Sequence, residues 1–319
     1  MAWNLMYTAL LTACAVLLDI FLGDPRRFPH PVRAIGALYA ALDALADRTG
    51  LRTRFFGAFG VLVVAGASGG IVFWLTQLPG FGWVLALYFA YAGLALGELL
   101  REGRRAARFL IENDMEAART VVAGLVSRDV DCLDTDGLWR ALAESVAENA
   151  NDAFVAPLFW LALGGPGALW AYKAVSTADS MWGYRTERYR RIGWFGAKAD
   201  DVLAYLPARL TALAMMLAAA LLGRGKGVSL HDIAVDAKKS ASPNAGWPMA
   251  AAAWLCDGGM GGATVYFGKI VEKPMIGPTC NPWDAKRFSL LSRLVLLTGI
   301  IVAVVTFSLC TIMPLHWHL

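Results

Sequence analysis

From Leu294 to Met313 the chain carries no charged side chain, and neither do residues 57 to 78 or 82 to 97. A run of that length that enters a bilayer must be helical, because a helix satisfies its own backbone N–H and C=O groups and crosses the hydrocarbon in about 20 residues. Residues 4 to 23 make a further apolar run, interrupted only by Asp19 near its end. The composition agrees: 57% of the residues are hydrophobic and 17% charged, too apolar a balance for an ordinary soluble domain. The sequence therefore predicts an all-α, polytopic integral membrane protein with about four to six membrane-embedded helices and cytoplasmic helical loops. It is expected to be one membrane-embedded domain over residues 1 to 319, with N-terminal spans at 1 to 97, a polar helical region at 98 to 209, and C-terminal spans with a polar loop (223 to 287) at 210 to 319.

Charge and cysteines exclude other classes. The net charge of +4 is modest, and the Lys and Arg residues sit beside apolar runs, which is membrane topology rather than nucleic-acid binding. Five scattered cysteines show no C-x-x-C and no His at ligand spacing, so neither a disulfide framework nor a zinc site is indicated. Residues 1 to 23 lack a basic n-region and read as a retained span. The arginines at 101, 104, 105, 108, 119 and 128 place the 98 to 143 stretch on the cytoplasmic side, together with residues 24 to 56. Two later segments are poor spans. Residues 153 to 172 contain Pro157 and the Gly-Gly-Pro-Gly of 164 to 167, and 210 to 222 is short, so both are expected to be broken or re-entrant helices lining a polar cavity, the alternative being two ordinary spans with the 173 to 203 loop outside.

The polar residues between the apolar runs cluster. With residues 140 to 152 helical, Glu144, Glu148 and Asp152 recur every four residues with Asn149 and Asn151 beside them. That acidic stripe suits Mg²⁺ or a cationic partner, while a solvated face is the alternative. Asp179, Tyr184 and Arg185 follow, then the Asp200–Asp201 pair. GDPRRFPHPVRAIG, at 23 to 36, is a proline-punctuated cationic loop with Arg26, His30 and Arg33, suited to an anion or to anchoring at the interface. GGMGG at 258 to 262 could present backbone N–H groups to a phosphate, but no Walker sequence accompanies it.

In this order, GDPRRFPHPVRAIG, ESVAENANDAFVAPLFWLALGG, AYKAVSTADSMWGYRTERYRRIGW, DDVLAYLPARL and SPNAGWP resemble the adenosylcobinamide-phosphate synthases, inner-membrane enzymes of cobalamin (vitamin B12) biosynthesis. The likeness covers nearly the whole chain; Ser176 stands where that family usually has Asn. The resemblance implies a multi-pass protein of the cell inner membrane that uses ATP as cosubstrate with Mg²⁺. Its substrates would be the corrinoid adenosylcobyric acid and (R)-1-aminopropan-2-ol phosphate or a similar aminoalcohol phosphate, joined as an amide. Its other expected partners are membrane lipid and either a second copy or later cobalamin-assembly enzymes, with no nucleic acid. Read with that chemistry, Glu144, Glu148, Asp152 and Asp179 are the candidate catalytic acids. Metal ligands are sought among Glu148, Asp152, Asp179, Asp200 and Asp201. Arg26, His30, Arg33, Asn149, Asn151, Lys173, Tyr184, Arg185, Arg209, Asn244 and Trp247 are candidate substrate contacts. A transporter or permease is the chief alternative, and a non-catalytic AmpE-like membrane sensor is the next.

Overall fold

The computed structural model describes residues 5–24, 30–266, 268–278 and 281–312. Arg26 lies outside them, as do Cys280, His316, Trp317 and His318. In chain order the helices are α1 (Leu5–Leu22), α2 (Pro31–Thr49), α3 (Arg54–Thr76), α4 (Gly82–Ala92), α5 (Leu96–Ile111), α6 (Met115–Ala123) and α7 (Thr135–Ala150). A π-helical segment, Asn151–Val155, leads into α8 (Ala156–Trp182), followed by α9 (Trp194–Leu203), α10 (Tyr205–Leu221), α11 (Leu230–Ala237) and α12 (Gly246–Cys256). Strands β1 (Met260–Tyr266) and β2 (Lys269–Ile276) form an antiparallel hairpin before the last helix, α13 (Ala285–Ile312).

The apolar runs become long helices. Among the described residues four stretches are long and apolar enough to cross a membrane: Arg54–Thr76, Gly82–Ile111, Thr135–Trp182 and Ala285–Thr311. Counting the broken pair α9 and α10 as one raises the number to five. Large apolar side chains stand outward on α3, among them Phe55 (82% exposed) and Trp74 (71%), a surface suited to lipid rather than water. The chain is a multi-pass membrane protein.

Three local expectations are corrected. The helix containing Glu144 and Glu148 stops at Ala150, and Asp152 lies in the π segment. The apolar run 82 to 97 is divided at Gly93, where α4 ends before α5 begins at Leu96. Residues 223 to 287, expected as a polar loop, contain two helices and a hairpin; the alternation of β-branched and polar residues through Thr264–Tyr266 and Lys269–Glu272 favours extended chain. The broken helices are observed. Within α8 the backbone leaves helical geometry at Gly164 and Gly165, immediately before Pro166, which has no N–H to continue the ladder.

The chain divides into two compact units, Met1–Ala95 with Ala156–Ala204 and Ala303–Leu319, and Leu96–Val155 with Tyr205–Val302. In the first, α3 packs on α8 through small residues: a Cβ on Gly69 would meet the Gly167 carbonyl at 2.9 Å. Packing of α2 on α8 puts Tyr39 edge-on to Trp182, both fully buried, with ring centroids 4.9 Å apart. In the second unit, α12 packs against α10 and α11 with a run of four alanines, Ala250 to Ala253, at its centre, and α5 lies against α6 and α7.

Candidate functional site

In the second unit the acidic stripe is held from below by a buried ion pair. Glu144 on α7 pairs with Arg128, and their side chains are only 3% and 8% exposed. Arg128 also donates to Thr264 Oγ1 at 3.2 Å, and the other Glu144 oxygen accepts from the Gly261 backbone N–H at 2.6 Å. The glycine cluster thus offers its N–H to a carboxylate of the protein itself. Gly261 can do so because its φ of +94° is open to glycine, and a Cβ there would stand 2.3 Å from the Pro274 carbonyl. Both oxygens of Glu144 are engaged in tying the hairpin to α7.

One turn on, Glu148 is half-buried, and the charges of Asp152, Lys273, Glu144 and Arg128 act on it. Lys273, on β2, donates to the Tyr266 hydroxyl at 2.6 Å with its ammonium 4.8 Å from that ring's centroid. Asn149 donates back to the Ser145 carbonyl. Asn151 donates to Asp152 Oδ1 at 2.7 Å and accepts from the buried Thr211 hydroxyl at 3.1 Å, so α10 holds the amide that opens the π segment, and that amide in turn holds Asp152. Such segments interrupt the regular ladder and re-aim side chains.

Arg209, Asn244 and Trp247 come together in the same unit. The Arg209 guanidinium donates to Asn244 Oδ1 at 2.8 Å and to the Pro243 carbonyl at 3.2 Å, and stacks over Tyr205 and Trp247 with centroids 3.4 and 5.0 Å away. A planar cation held over two rings is oriented by those contacts as well as by hydrogen bonds.

In the first unit, His30 caps α2. Its Nδ1 accepts from the Val32 N–H at 3.3 Å, its Nε2 is 3.9 Å from Asp24, and the Trp170 ring lies 6.1 Å away. Burial lowers the His30 pKa below its ordinary value; Asp24 pulls it up, while Lys173 and Arg33 push it down. The structure thereby brings His30, Arg33 and Lys173 to one place. Asp179 lies near the end of α8 with its carboxylate over Gly183, where a Cβ would stand 2.2 Å from Oδ1. Tyr184 meets Tyr189 at 6.4 Å, and Arg185 is exposed. On α9, Asp201 pairs with Lys198 at 2.9 Å and Asp200 is half-buried.

Sequence reasoning passed over several of the best-held groups. Arg52 and Arg188 both bridge Asp43 and Asp47, at 2.6 to 2.9 Å, tying the loop after α8 to α2. The two aspartates, four residues apart on α2, were a legible signal; their partner Arg188 was not. Lys273 and Arg128 carried no signal beyond being cations in polar stretches. Asp236 is likewise buried, accepting from Trp254 Nε1 and the Gly277 N–H and pairing with Lys239.

Among the described residues no three His, Cys, Asp or Glu side chains converge as a metal site. Mg²⁺ does not need them, since it commonly takes one or two carboxylates and completes its shell with water and phosphate oxygens. Glu148 with Asp152 fits that donor set.

The family model described as CobD/Cbib protein matches residues 12–295. The cobalamin biosynthesis protein CobD of Pelobacter propionicus is 40% identical over 307 residues, covering 93% of both chains. Its counterpart in Geobacter metallireducens is 41% identical over 276 residues, 85% of this chain and 87% of the relative. The cobalamin biosynthesis protein CbiB of Salmonella typhi is 38% identical over 288 residues, 88% of each. No solved structure matches the chain.

Proposed function

Since this chain belongs to the CobD/CbiB protein family, we propose that it is a cobalamin-biosynthesis enzyme of the inner membrane that makes an amide bond at the expense of ATP. The reaction joins an aminoalcohol phosphate, such as (R)-1-aminopropan-2-ol phosphate, to the remaining free carboxylate of adenosylcobyric acid, giving adenosylcobinamide phosphate. The observation that supports the reading is the grouping of Glu148 and Asp152, within the apolar stretch Thr135–Trp182, with the Lys273 cation close enough to act on them.

A carboxylate is a poor electrophile until ATP transfers a phosphoryl group to its oxygen, releasing ADP, so that phosphate leaves as the C–N bond forms; an ammonium is no nucleophile until it loses a proton. Glu148 and Asp152 would hold a Mg²⁺ ion, which would neutralise charge on the nucleotide phosphates. When the metal engages one of the two, the carboxylate not engaged with it would accept the proton that the amine loses as the C–N bond forms. Lys273 neutralises phosphate oxygens, and Arg209, oriented by Asn244, Tyr205 and Trp247, offers a two-pronged contact to a carboxylate or phosphate. His30, Arg33 and Lys173 form a second cationic grouping suited to anion recognition. Glu144 serves to position the stripe.

The experiment is condensation by detergent-solubilised protein given ATP, Mg²⁺ and the two substrates. Product without a closed compartment is expected, and Glu148→Gln should lower turnover by about 10²-fold or more while leaving the protein folded. Wild-type turnover in that variant removes Glu148 from the mechanism. Absence of product from wild-type protein that still binds corrinoid favours the sensor.

A further inference from the structure

Within the second unit, one face of α5, with Glu112 just beyond its end, and one face of α13 line an open cavity of about 470 Å³ that the proposed chemistry does not use. The helices meet closely at Gly103, where a Cβ would stand 3.3 Å from the Phe288 ring. Beyond that point the floor is Ala107, Phe288 and Ser292, all buried, and the rim carries Arg104, Arg108 and Arg293. Arg108 is paired with Glu112 at 2.8 Å. Among the described residues, Arg104 and Arg293 have no carboxylate partner. Arg293 is also the last charge on α13, with the uncharged run beginning at Leu294.

We propose that this cavity binds an anionic phospholipid, its phosphate held by Arg104 and Arg293 and the first methylenes of its chains lying over Phe288 and Ala107. Three features select that ligand. Two unpaired guanidiniums over an apolar floor match an amphiphile with an anionic head, and a zwitterionic head leaves part of that charge unmatched. Arg293 immediately precedes the uncharged run that begins at Leu294, and a basic residue at the edge of such a run lies at the depth of headgroup phosphates. The volume takes a headgroup and the glycerol end of a lipid rather than a whole molecule, so the tails remain in the bilayer.

The test uses full-length protein, delipidated in detergent and offered equal amounts of phosphatidylglycerol and phosphatidylcholine with matched chains, the retained lipid being read by native mass spectrometry. Phosphatidylglycerol should be retained preferentially, and Arg104→Ala and Arg293→Ala should each weaken retention about fivefold. Ser289→Trp keeps every arginine and blocks the mouth from an exposed position, and it should cause a comparable loss. Equal retention of the two lipids overturns the proposal, as does undiminished phosphatidylglycerol in the variants. Should the alanine variants fail to fold, competition on wild-type protein decides: displacement of the lipid by millimolar inorganic phosphate means a free-anion site and rejects the lipid, whereas persistence of the adduct supports it.

Discussion

Two glutamates one helical turn apart illustrate how burial sorts residues that look alike. Glu144 is enclosed with Arg128 and the Gly261 N–H, so removing it strands a buried cation and an amide. Glu144→Ala is therefore expected to cost about 3–5 kcal/mol of stability, seen as a lowered unfolding temperature in detergent, whereas Glu148→Gln should leave that temperature nearly unchanged. A similar loss in both variants would contradict the division of roles. His30 makes a pH-dependent prediction. Its folded pKa is depressed below 6.5, chiefly by burial, so the neutral ring contributes stability that is present above about 6.5 and lost as pH falls through the folded value. Thermal unfolding followed from pH 8 to 5 should show that loss in wild type. His30→Asn keeps an acceptor to cap α2 but does not titrate, and should flatten this part of the profile. In sequence both residues were visible as candidates; which glutamate would be ion-paired was not.

At the scale of elements, the loop between α8 and α9 is set by close backbone approach. A Cβ on Gly193 would fall 1.8 Å from the Trp182 carbonyl oxygen, although its φ of −81° suits any residue. Gly193→Ala is thus a purely steric change, expected to destabilise by about 1–3 kcal/mol in a thermal melt. A neutral result would mean that the loop yields easily. The helices themselves were legible because amphipathic and apolar patterns are properties of consecutive residues, and the breaks at Gly164–Pro166 followed from glycine and proline chemistry. The π segment and the hairpin were not. The first is stabilised by the Thr211–Asn151 contact, which spans sixty positions. The second is anchored by Glu144, far from it in the chain. The hairpin's β-branched residues were a local signal that the expectation of a polar loop overrode.

For the molecule as a whole, the expectation is that the arginine-rich stretch from 98 to 143 faces the cytoplasm. It contains Cys132, an exposed free thiol, whereas Cys256 and Cys310 are buried. A membrane-impermeant maleimide should label inverted vesicles strongly and intact spheroplasts weakly, with the difference lost in Cys132→Ser. Strong Cys132-dependent labelling of spheroplasts reverses the orientation. The sequence by itself determined that the chain enters a bilayer, roughly where it does so, and which family's motifs it carries, because each of these resides in short contiguous runs. Only the tertiary structure decided which acid is enclosed as an ion pair, which cations gather round Glu148 and His30, and where two arginines stand over an apolar floor. Those outcomes depend on dielectric and distance, and both are set by residues that meet only when the helices pack.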